Sequence, residues 1–221
     1  AKYSAEVQWK KPENNASNQN YEDEKLWDDR FEDYKMKGGP FTTGEIARVL
    51  SKVKKNKTPG PDGCSMELIL WLDEENKETL LEEINHIRTG TKQYPHTLTL
   101  ASIASIYKKG DASNLENYRP IALLQSMYKL IAALIKNRIA DTYDSWIDKN
   151  QYGFRKKRSR AHAICIARRL LDQAENQGKS ITLILLDWEK AFDKVEHEQL
   201  LKALERLNIS GNMLALITKT L

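Results

Sequence analysis

Cysteine is scarce in this sequence, and its scarcity argues against two classes of protein. The 221 residues include two cysteines, Cys64 and Cys165, which lie far apart and form no CxxC pair. Disulfide frameworks and structural zinc sites need several cysteines, or cysteines with histidines, at short spacing. The sequence therefore favours a protein of a reducing, intracellular compartment, and nuclear and cytoplasmic locations fit equally well.

Long apolar runs and the common nucleotide-binding loops are also missing. No stretch approaches the roughly 20 apolar residues that a membrane-spanning helix needs, and residues 1–10 lack the apolar core of a signal peptide. The chain has no GxxxxGK[ST], GxGxxG or GxSxG motif, and its histidines show no HxxxH spacing. These absences argue against a membrane protein, a Walker-type ATPase, a dinucleotide enzyme and a serine hydrolase.

The composition that is present is that of a globular protein with a mild basic excess. Hydrophobic residues make up 40% and charged residues 30%, with 35 Lys and Arg against 31 Asp and Glu, for a net charge of +4. A chain of this length buries a substantial core. The basic excess suits a polyanionic partner but does not require one.

Hydrophobic periodicity and turn residues predict a helix-rich α+β protein with two strands. Residues 1–21 are polar and are expected to be a flexible lead-in. Helices are predicted over 24–34, from Thr42, over 66–72, over 74–89, from Pro120 through Ile139, from 160 to about 177, and from 197 to 221. The strands are predicted at 101–107 and 181–186. The Thr42/Glu45 spacing has the form of a capping box, and 58–63 is a Pro-Gly turn.

Asp187 is the first candidate for chemistry. It follows the predicted strand, and the end of a buried strand is where metal-dependent phosphoryl-transfer enzymes place carboxylates that bind Mg²⁺. The alternative is that Asp187 only ends the strand or caps the next turn. Phe192 follows within a few residues and could pack against the sugar of a nucleotide or simply fill a core. Asp193 could add a second ligand or brace a loop.

Two basic segments are candidates for binding phosphate. Arg119 lies shortly after the turn that carries Lys108 and Lys109, and a guanidinium donates to two phosphate oxygens at once. A run of basic residues with neighbouring aromatics suits a nucleic-acid backbone and an unstacked base. Its members are Gln151, Tyr152, Gly153, Phe154, Arg155, Lys156, Lys157 and Arg158. In both segments the alternative is a solvated surface.

Taken in order, five blocks resemble the reverse transcriptases of non-LTR retrotransposons and, more distantly, those of group II introns. The blocks read KTPGPDG at 57–63, IYKKGD at 106–111, NYRPI at 117–121, QYGFR at 151–155 and LDWEKAFDKV at 186–195. The resemblance runs from about Leu26 to Leu207. It implies a right-hand polymerase, with N-terminal extension helices at 22–95, fingers at 96–179 and the start of an incomplete palm at 180–221.

The resemblance also implies roles for single residues. Asp187 matches the first metal-binding aspartate, with the Trp188 carbonyl as an additional ligand, and Phe192 matches the residue that stacks under the deoxyribose. Arg119 matches the arginine that holds the incoming triphosphate, with Lys108 or Lys109 as its companion. Residues 151–155 match a block that touches the template or the nucleotide pocket. The implied cofactor is Mg²⁺, and the implied partners are an RNA template, a DNA primer and a deoxynucleoside triphosphate.

One departure from the family pattern limits these expectations. The Tyr/Phe-x-Asp-Asp hairpin, which supplies the remaining metal-binding aspartates, does not occur in this sequence. Two-metal phosphoryl transfer needs carboxylates from both places. We therefore expect this chain alone not to extend a primer. Alternatives are a domesticated, non-catalytic RNA-binding or structural subunit, and a split enzyme in which another chain completes the palm.

Overall fold

The structure, a computed structural model, describes residues 36–188, 191–209 and 211–221. The predicted lead-in at 1–21 and the predicted helix at 24–34 lie outside these residues. The described chain divides into two compact units. The larger unit contains 36–142 and 201–221, and the smaller unit contains 143–200.

Helix α1, Thr43–Leu50, begins at the predicted capping box. The backbone N–H of Thr42 donates to Glu45 Oε2 at 2.9 Å, and the N–H of Glu45 donates to Thr42 Oγ1 at 3.3 Å. This reciprocal pair satisfies backbone donors that the first helical turn leaves free. The apolar face of α1 is buried through Ile46, Val49 and Leu50.

The next two helices confirm the sequence prediction, with one shorter than expected. Helix α2 is Met66–Leu70, and helix α3 is Glu74–Thr89. Asp73 caps the start of α3 by accepting a hydrogen bond from the N–H of Asn76, and Gly90, at φ 80°, ends it. Positive φ strains residues that carry a Cβ, so glycine is the residue that stops this helix.

A β-hairpin replaces the first part of a predicted helix. Strand β1, Ala101–Tyr107, was expected, but β2, Tyr118–Leu124, lies where we predicted a helix from Pro120. The strands pair antiparallel from Ala101 opposite Leu124 to Tyr107 opposite Tyr118. The helical spacing of Ile121 and Leu124 was misleading because pairing with β1 satisfies the backbone groups of this segment as an edge strand, where proline is tolerated.

Helix α4 begins only at Ser126 and runs to Tyr143, and its middle forms the centre of the larger unit. Leu130, Ile131 and Leu134 are at most 1% exposed. The helices predicted over 197–221 are α6 at His197–Arg206 and α7 at Gly211–Thr220, and Asn208 between them has φ 54°. The hydroxyl of Tyr128 donates to the carbonyl of Thr220 at 2.8 Å, which ties α7 to α4.

In the smaller unit, helix α5 is Arg160–Asn176, as predicted, and Gly178 follows it at φ 61°. The predicted strand at 181–186 is not formed, and residues 181–188 have no regular secondary structure. Ile184, Leu185 and Leu186 are 76%, 85% and 88% exposed. The prediction fails because a strand needs a neighbouring strand for its N–H and C=O groups, and no described residue pairs with this segment.

Arg138 anchors the segment before α1 to α4. Its side chain is 3% exposed and pairs bidentately with Glu45, at 2.7 Å to Oε1 and 2.8 Å to Oε2. It also donates to the carbonyls of Lys37, Gly39 and Pro40 and lies 4.2 Å from the ring centroid of Phe41. One buried guanidinium therefore organises residues 37–41.

The Pro-Gly turn closes against the base of the hairpin. A Cβ at Gly60 would lie 2.6 Å from the carbonyl carbon and oxygen of Leu124 and 2.7 Å from the nitrogen of Gln125. Nearby, Ser126 Oγ donates to the carbonyl of Cys64 at 2.7 Å, and Gln125 Nε2 donates to the carbonyl of Thr97 at 2.6 Å. The turn can approach this closely only because Gly60 has no side chain.

We expect Gly60→Ala to destabilise the chain by about 1–3 kcal/mol, because the new methyl group forces two backbone segments apart. Urea unfolding followed by far-UV circular dichroism measures the change. Gly39→Ala is the matched control, since a Cβ there meets nothing within 4 Å. Equal midpoints for the two variants would contradict the close packing at Gly60.

Among the described residues, no helix combines the length and the apolarity that crossing a membrane requires.

Candidate functional site

The hairpin of the larger unit carries three of the cationic candidates. Arg119 lies on β2 opposite Ile106, and Lys108 and Lys109 follow directly after β1. All three side chains are exposed. The N–H of Lys108 donates to the carbonyl of Asn117 at 2.8 Å, which extends the pairing of the two strands to the tip.

The loop between the strands, residues 108–117, is braced from inside by Asn117. Its Nδ2 donates to the carbonyl of Asp111 at 2.8 Å. Gly110 has φ 99°, and a Cβ there would lie 2.8 Å from Asn117 Nδ2. The KKGD and NYR blocks therefore pack against each other. Glycine is required at position 110 for two reasons: its φ is positive, and a Cβ would clash with the Asn117 side chain.

Two tyrosines complete the bracing. The rings of Tyr107 and Tyr118 lie 5.5 Å apart between centroids. The hydroxyl of Tyr107 donates to the carbonyl of Gly110 at 2.5 Å, and that of Tyr118 donates to the carbonyl of Ala112 at 3.0 Å. Asp111 accepts from the backbone N–H of Ser113 at 2.9 Å, which lowers the pKa of its carboxyl. Sequence reasoning assigned no role to these residues, although the turn chemistry of Gly110 and Asp111 was a signal for a fixed loop.

The cations at this end of the hairpin have the chemistry of an anion site. None of the three cations forms an ion pair with a carboxylate of the described residues. Two flexible ammonium groups and one planar guanidinium are thus available on one end of a braced hairpin. Phosphate oxygens are well matched by this combination of a point charge and a forked donor.

In the smaller unit, Arg155 serves a different purpose from its basic neighbours. Its guanidinium contacts the Asp144 carboxylate at 3.1 Å and donates to the carbonyls of Asp144, Ile147 and Asp148 at 2.6, 3.1 and 2.8 Å. Its side chain is 9% exposed, and the contact lowers the pKa of Asp144. Arg155 therefore braces the loop from 144 to 158, while Lys156, Lys157 and Arg158 are exposed.

An aromatic stack stands at the start of α5. The ring of Tyr152 lies 6.0 Å from that of His162 at an interplanar angle of 19°, and the guanidinium carbon of Arg158 is 5.8 Å from the Tyr152 centroid. His162 Nδ1 accepts a hydrogen bond from the N–H of Ser159 at 3.1 Å, which holds the imidazole in place. His162 was missed by sequence reasoning because no metal or catalytic spacing singled it out.

Phe154 and Phe192, predicted to serve nucleic acid and nucleotide respectively, lie together in the structure. Their centroids are 6.2 Å apart in an edge-to-face arrangement at 86°. Phe154 is 95% exposed and has φ 61°, an unusual conformation for an aromatic residue. Gln151 and Gly153 flank Tyr152 in the same exposed turn. The turn thus leaves the ring of Phe154 exposed to solvent instead of burying it.

Asp187 and Trp188 lie in the segment without regular secondary structure. Both are exposed, and Trp188 is 84% exposed. Among the described residues, no group of three or more His, Cys, Asp and Glu side chains could hold a metal ion. The structure therefore brings no second carboxylate of the described residues into a metal cluster with Asp187, and the ligand role of Asp187 stays a prediction.

Comparison with known proteins gives one consistent family. The family model for reverse transcriptase (RNA-dependent DNA polymerase) matches residues 106–221. The chain is 30% identical over 171 residues to the transposon TX1 uncharacterized 149 kDa protein of Xenopus laevis, covering 75% of this chain and 13% of that protein. It is 33% identical over 170 residues to the RNA-directed DNA polymerase from mobile element jockey of Drosophila funebris. That match covers 73% of this chain and 18% of the jockey protein.

A third relative matches a larger share of the chain than these two. It is the retrovirus-related Pol polyprotein from type-1 retrotransposable element R2 of Popillia japonica, 26% identical over 186 residues, which is 82% of this chain and 24% of that protein. The chain thus spans less than a quarter of the length of these curated relatives.

Proposed function

This chain belongs to the reverse transcriptase family, and from that premise we propose that it forms the nucleotide-binding front part of an RNA-directed DNA polymerase of a mobile element. The observation that carries the proposal is the braced hairpin, whose exposed Lys108, Lys109 and Arg119 belong to the segment that matches the family. Its partners are then an RNA template, a DNA primer and deoxynucleoside triphosphates, and another chain where the enzyme is split.

In this proposal the hairpin binds the triphosphate of the incoming nucleotide. Arg119 donates to two phosphate oxygens, and Lys108 or Lys109 neutralises the remaining charge. Asn117 and the tyrosine pair keep the loop in one conformation, so less entropy is lost when the nucleotide binds. The fingers and palm, as parts of a right-hand polymerase, belong to the same proposal.

The smaller unit would contact the nucleic acid and the sugar. Exposed Lys156, Lys157 and Arg158 suit a phosphate backbone, and Tyr152 offers a stacking surface beside them. Gln151, Gly153 and Phe154 line the same turn, and Phe192 would stack under the deoxyribose and exclude a 2′-hydroxyl. Arg155 supports this surface indirectly, since its donors are engaged within the loop.

Magnesium fits the donor chemistry of Asp187, although that residue can only be one of its ligands. The ion prefers hard oxygen donors and usually combines one or two carboxylates with substrate phosphates and water. Asp187 and the Trp188 carbonyl are oxygen donors of that kind. When bound, the ion would neutralise the charge that develops on the transferred phosphoryl group.

We further propose that the 221 residues do not extend a primer by themselves. The reason is the missing Tyr/Phe-x-Asp-Asp sequence, because both catalytic ions need carboxylates beyond Asp187. A chain that binds RNA without synthesis would equally serve a non-catalytic RNA-binding subunit, so the test of polymerase function needs a polymerase that contains this chain.

The test is the nucleotide dependence of primer extension by such a polymerase. We expect Arg119→Gln to raise KM for the deoxynucleoside triphosphate about 10- to 150-fold, the scale of one charge-assisted hydrogen-bonding group. Arg48→Gln, which removes an exposed arginine of the same unit, is the control and should leave KM unchanged. An unchanged KM for Arg119→Gln would refute the triphosphate role. No synthesis on any RNA template would favour the non-catalytic subunit.

A further inference from the structure

We propose that residues 52–57, here called the lysine loop, bind the phosphate backbone of the RNA template. The inference rests on the proposed function only in taking RNA as the polyanion. The loop contains Lys52, Lys54, Lys55 and Lys57, all of them exposed. The family blocks that suggest a site begin only at the last of these residues, and the proposed nucleic-acid surface at 151–158 belongs to the other unit.

Complementing the negative end of the α1 dipole does not account for Lys54, Lys55 and Lys57. Helix α1 ends at Leu50 with Ser51 as its C-cap. The dipole effect falls off within the last turn, so Lys54, Lys55 and Lys57 lie too far along the chain to benefit from it.

The ammonium groups of the lysine loop form no direct ion pairs within the described part of the chain. The charge of Lys55 does add to the Asn56 hydrogen bond in lowering the pKa of the Glu67 carboxyl, but without an ion pair. Elsewhere in the same unit, Lys77 pairs with Glu74, Lys92 with Glu83 and Arg48 with Asp141. Like charges on neighbouring residues repel each other, and a bound polyanion removes that repulsion.

The backbone of the loop is held in place. Asn56 has φ 57°, and its N–H donates to a carboxylate oxygen of Glu67, a side chain that is only 9% exposed. This hydrogen bond also keeps the pKa of the Glu67 carboxyl below its ordinary value. A buried carboxylate that holds a left-handed residue keeps the loop ordered, so binding costs less conformational entropy.

The loop continues directly into the turn that docks on the hairpin. Three residues after Lys57, Gly60 packs against the backbone of Leu124 and Gln125 at the base of β2. A strand of RNA along the lysine loop would therefore run beside the base of the hairpin whose tip carries Lys108 and Lys109. Lysine ammonium groups suit this role because they bind phosphate without reading the base.

The test is the salt dependence of RNA binding by this chain. Fluorescence anisotropy with a labelled single-stranded RNA gives the slope of log K against log salt concentration. For single strands each phosphate contact contributes about 0.7 to that slope, so Lys54→Gln, Lys55→Gln and Lys57→Gln together should lower its magnitude by about 2. Between 50 and 200 mM salt, the wild type should then lose roughly 18-fold more affinity than the triple variant.

The matched control removes the same charge from paired positions. Arg48→Gln, Lys77→Gln and Lys92→Gln also remove three positive charges, but each of these side chains already has a carboxylate partner. We expect the control to keep the wild-type slope, and Lys→Arg changes at 54, 55 and 57 to keep it as well. Far-UV circular dichroism and thermal melting verify that every variant is folded.

The outcomes separate this inference from the proposed function. If the wild type binds RNA with the same salt slope as the loop variant, the lysine loop does not bind the RNA backbone. The proposed function is unaffected by that result. Equal loss of slope in the loop variant and the control also overturns it, because bulk charge would then explain the binding. A wild type with no salt-dependent RNA binding overturns the binding role of the lysine loop, and the primer-extension test then decides the proposed function separately.

Discussion

Asp187→Asn in a polymerase that contains this chain is expected to lower the rate of primer extension by at least about 10²–10³-fold. That is the scale seen when one preorganised charge-stabilising group is removed from an active site. The amide of asparagine keeps the shape of the side chain but loses the negative charge that attracts Mg²⁺. Single-turnover extension on a primed RNA template at saturating nucleotide measures the rate of the chemical step.

Asp193→Asn is the matched control, since Asp193 is another exposed aspartate of the same unit. We expect it to change the rate by less than about tenfold, because the proposed metal-ligand role belongs to Asp187. Raising the magnesium concentration should rescue Asp187→Asn only partly. Equal losses in the two variants would show that the segment, rather than the Asp187 carboxylate, is what the reaction needs.

Arg138→Met is expected to destabilise the chain by about 3 kcal/mol, the low end of the range for breaking a buried ion pair. Methionine keeps the aliphatic volume but removes the donors to Glu45 and to three backbone carbonyls. For a protein of this size the loss corresponds to a Tm lower by about 6–12 °C. Urea unfolding gives the free energy directly.

Arg48→Met is the comparison, because Arg48 and Asp141 form an exposed pair with 37% and 46% of their side chains accessible. Such pairs contribute at most about 1 kcal/mol. Glu45→Gln in the Arg138→Met background should recover part of the loss, since glutamine still caps α1 and leaves no orphan carboxylate. Equal effects of Arg138→Met and Arg48→Met would contradict the anchoring role.

The same pair predicts a pH dependence. The hydrogen bond from Arg138 lowers the pKa of Glu45 below its ordinary value of 4.5. A carboxyl whose pKa is depressed on folding contributes stability above its unfolded pKa, and that contribution disappears as the pH falls through the folded value. The stability difference between wild type and Arg138→Met should therefore be constant above about pH 4.5 and shrink in more acidic solution.

Local sequence signals were sufficient to predict helix ends where nearby residues satisfy the backbone hydrogen-bonding groups. Thr42 and Glu45 mark the start of α1, and Asp73 and Gly90 mark the two ends of α3. Gly178 follows the end of α5. Such signals can be read from sequence because caps act over three or four residues. The candidate cations and aromatics could also be named from sequence, since family blocks and residue chemistry identify them one by one. The hydrogen bonds and packing that hold the loop around the cations could not be predicted from sequence, because Asn117 contacts Gly110 only after the two strands have paired.

Strand pairing between distant segments is where prediction from sequence failed, once by missing a strand and once by predicting one that does not form. Residues 120–124 have helical spacing but form a strand, since β1 offers them a partner. Residues 181–186 have the apolar character of a strand but form none, since no described residue pairs with them. A strand is stabilised by its neighbour rather than by its own sequence.

The family, the capped ends of α1 and α3 and the chemical type of each candidate residue follow from the sequence, because motifs, caps and side-chain chemistry are local properties. The inward position of Arg155, the exposure of Arg158 and the contact of Phe154 with Phe192 became visible only in the folded chain. It alone also revealed that Gly60 must remain without a side chain. These outcomes depend on contacts between residues that are not neighbours in the chain, which form only when the backbone has folded.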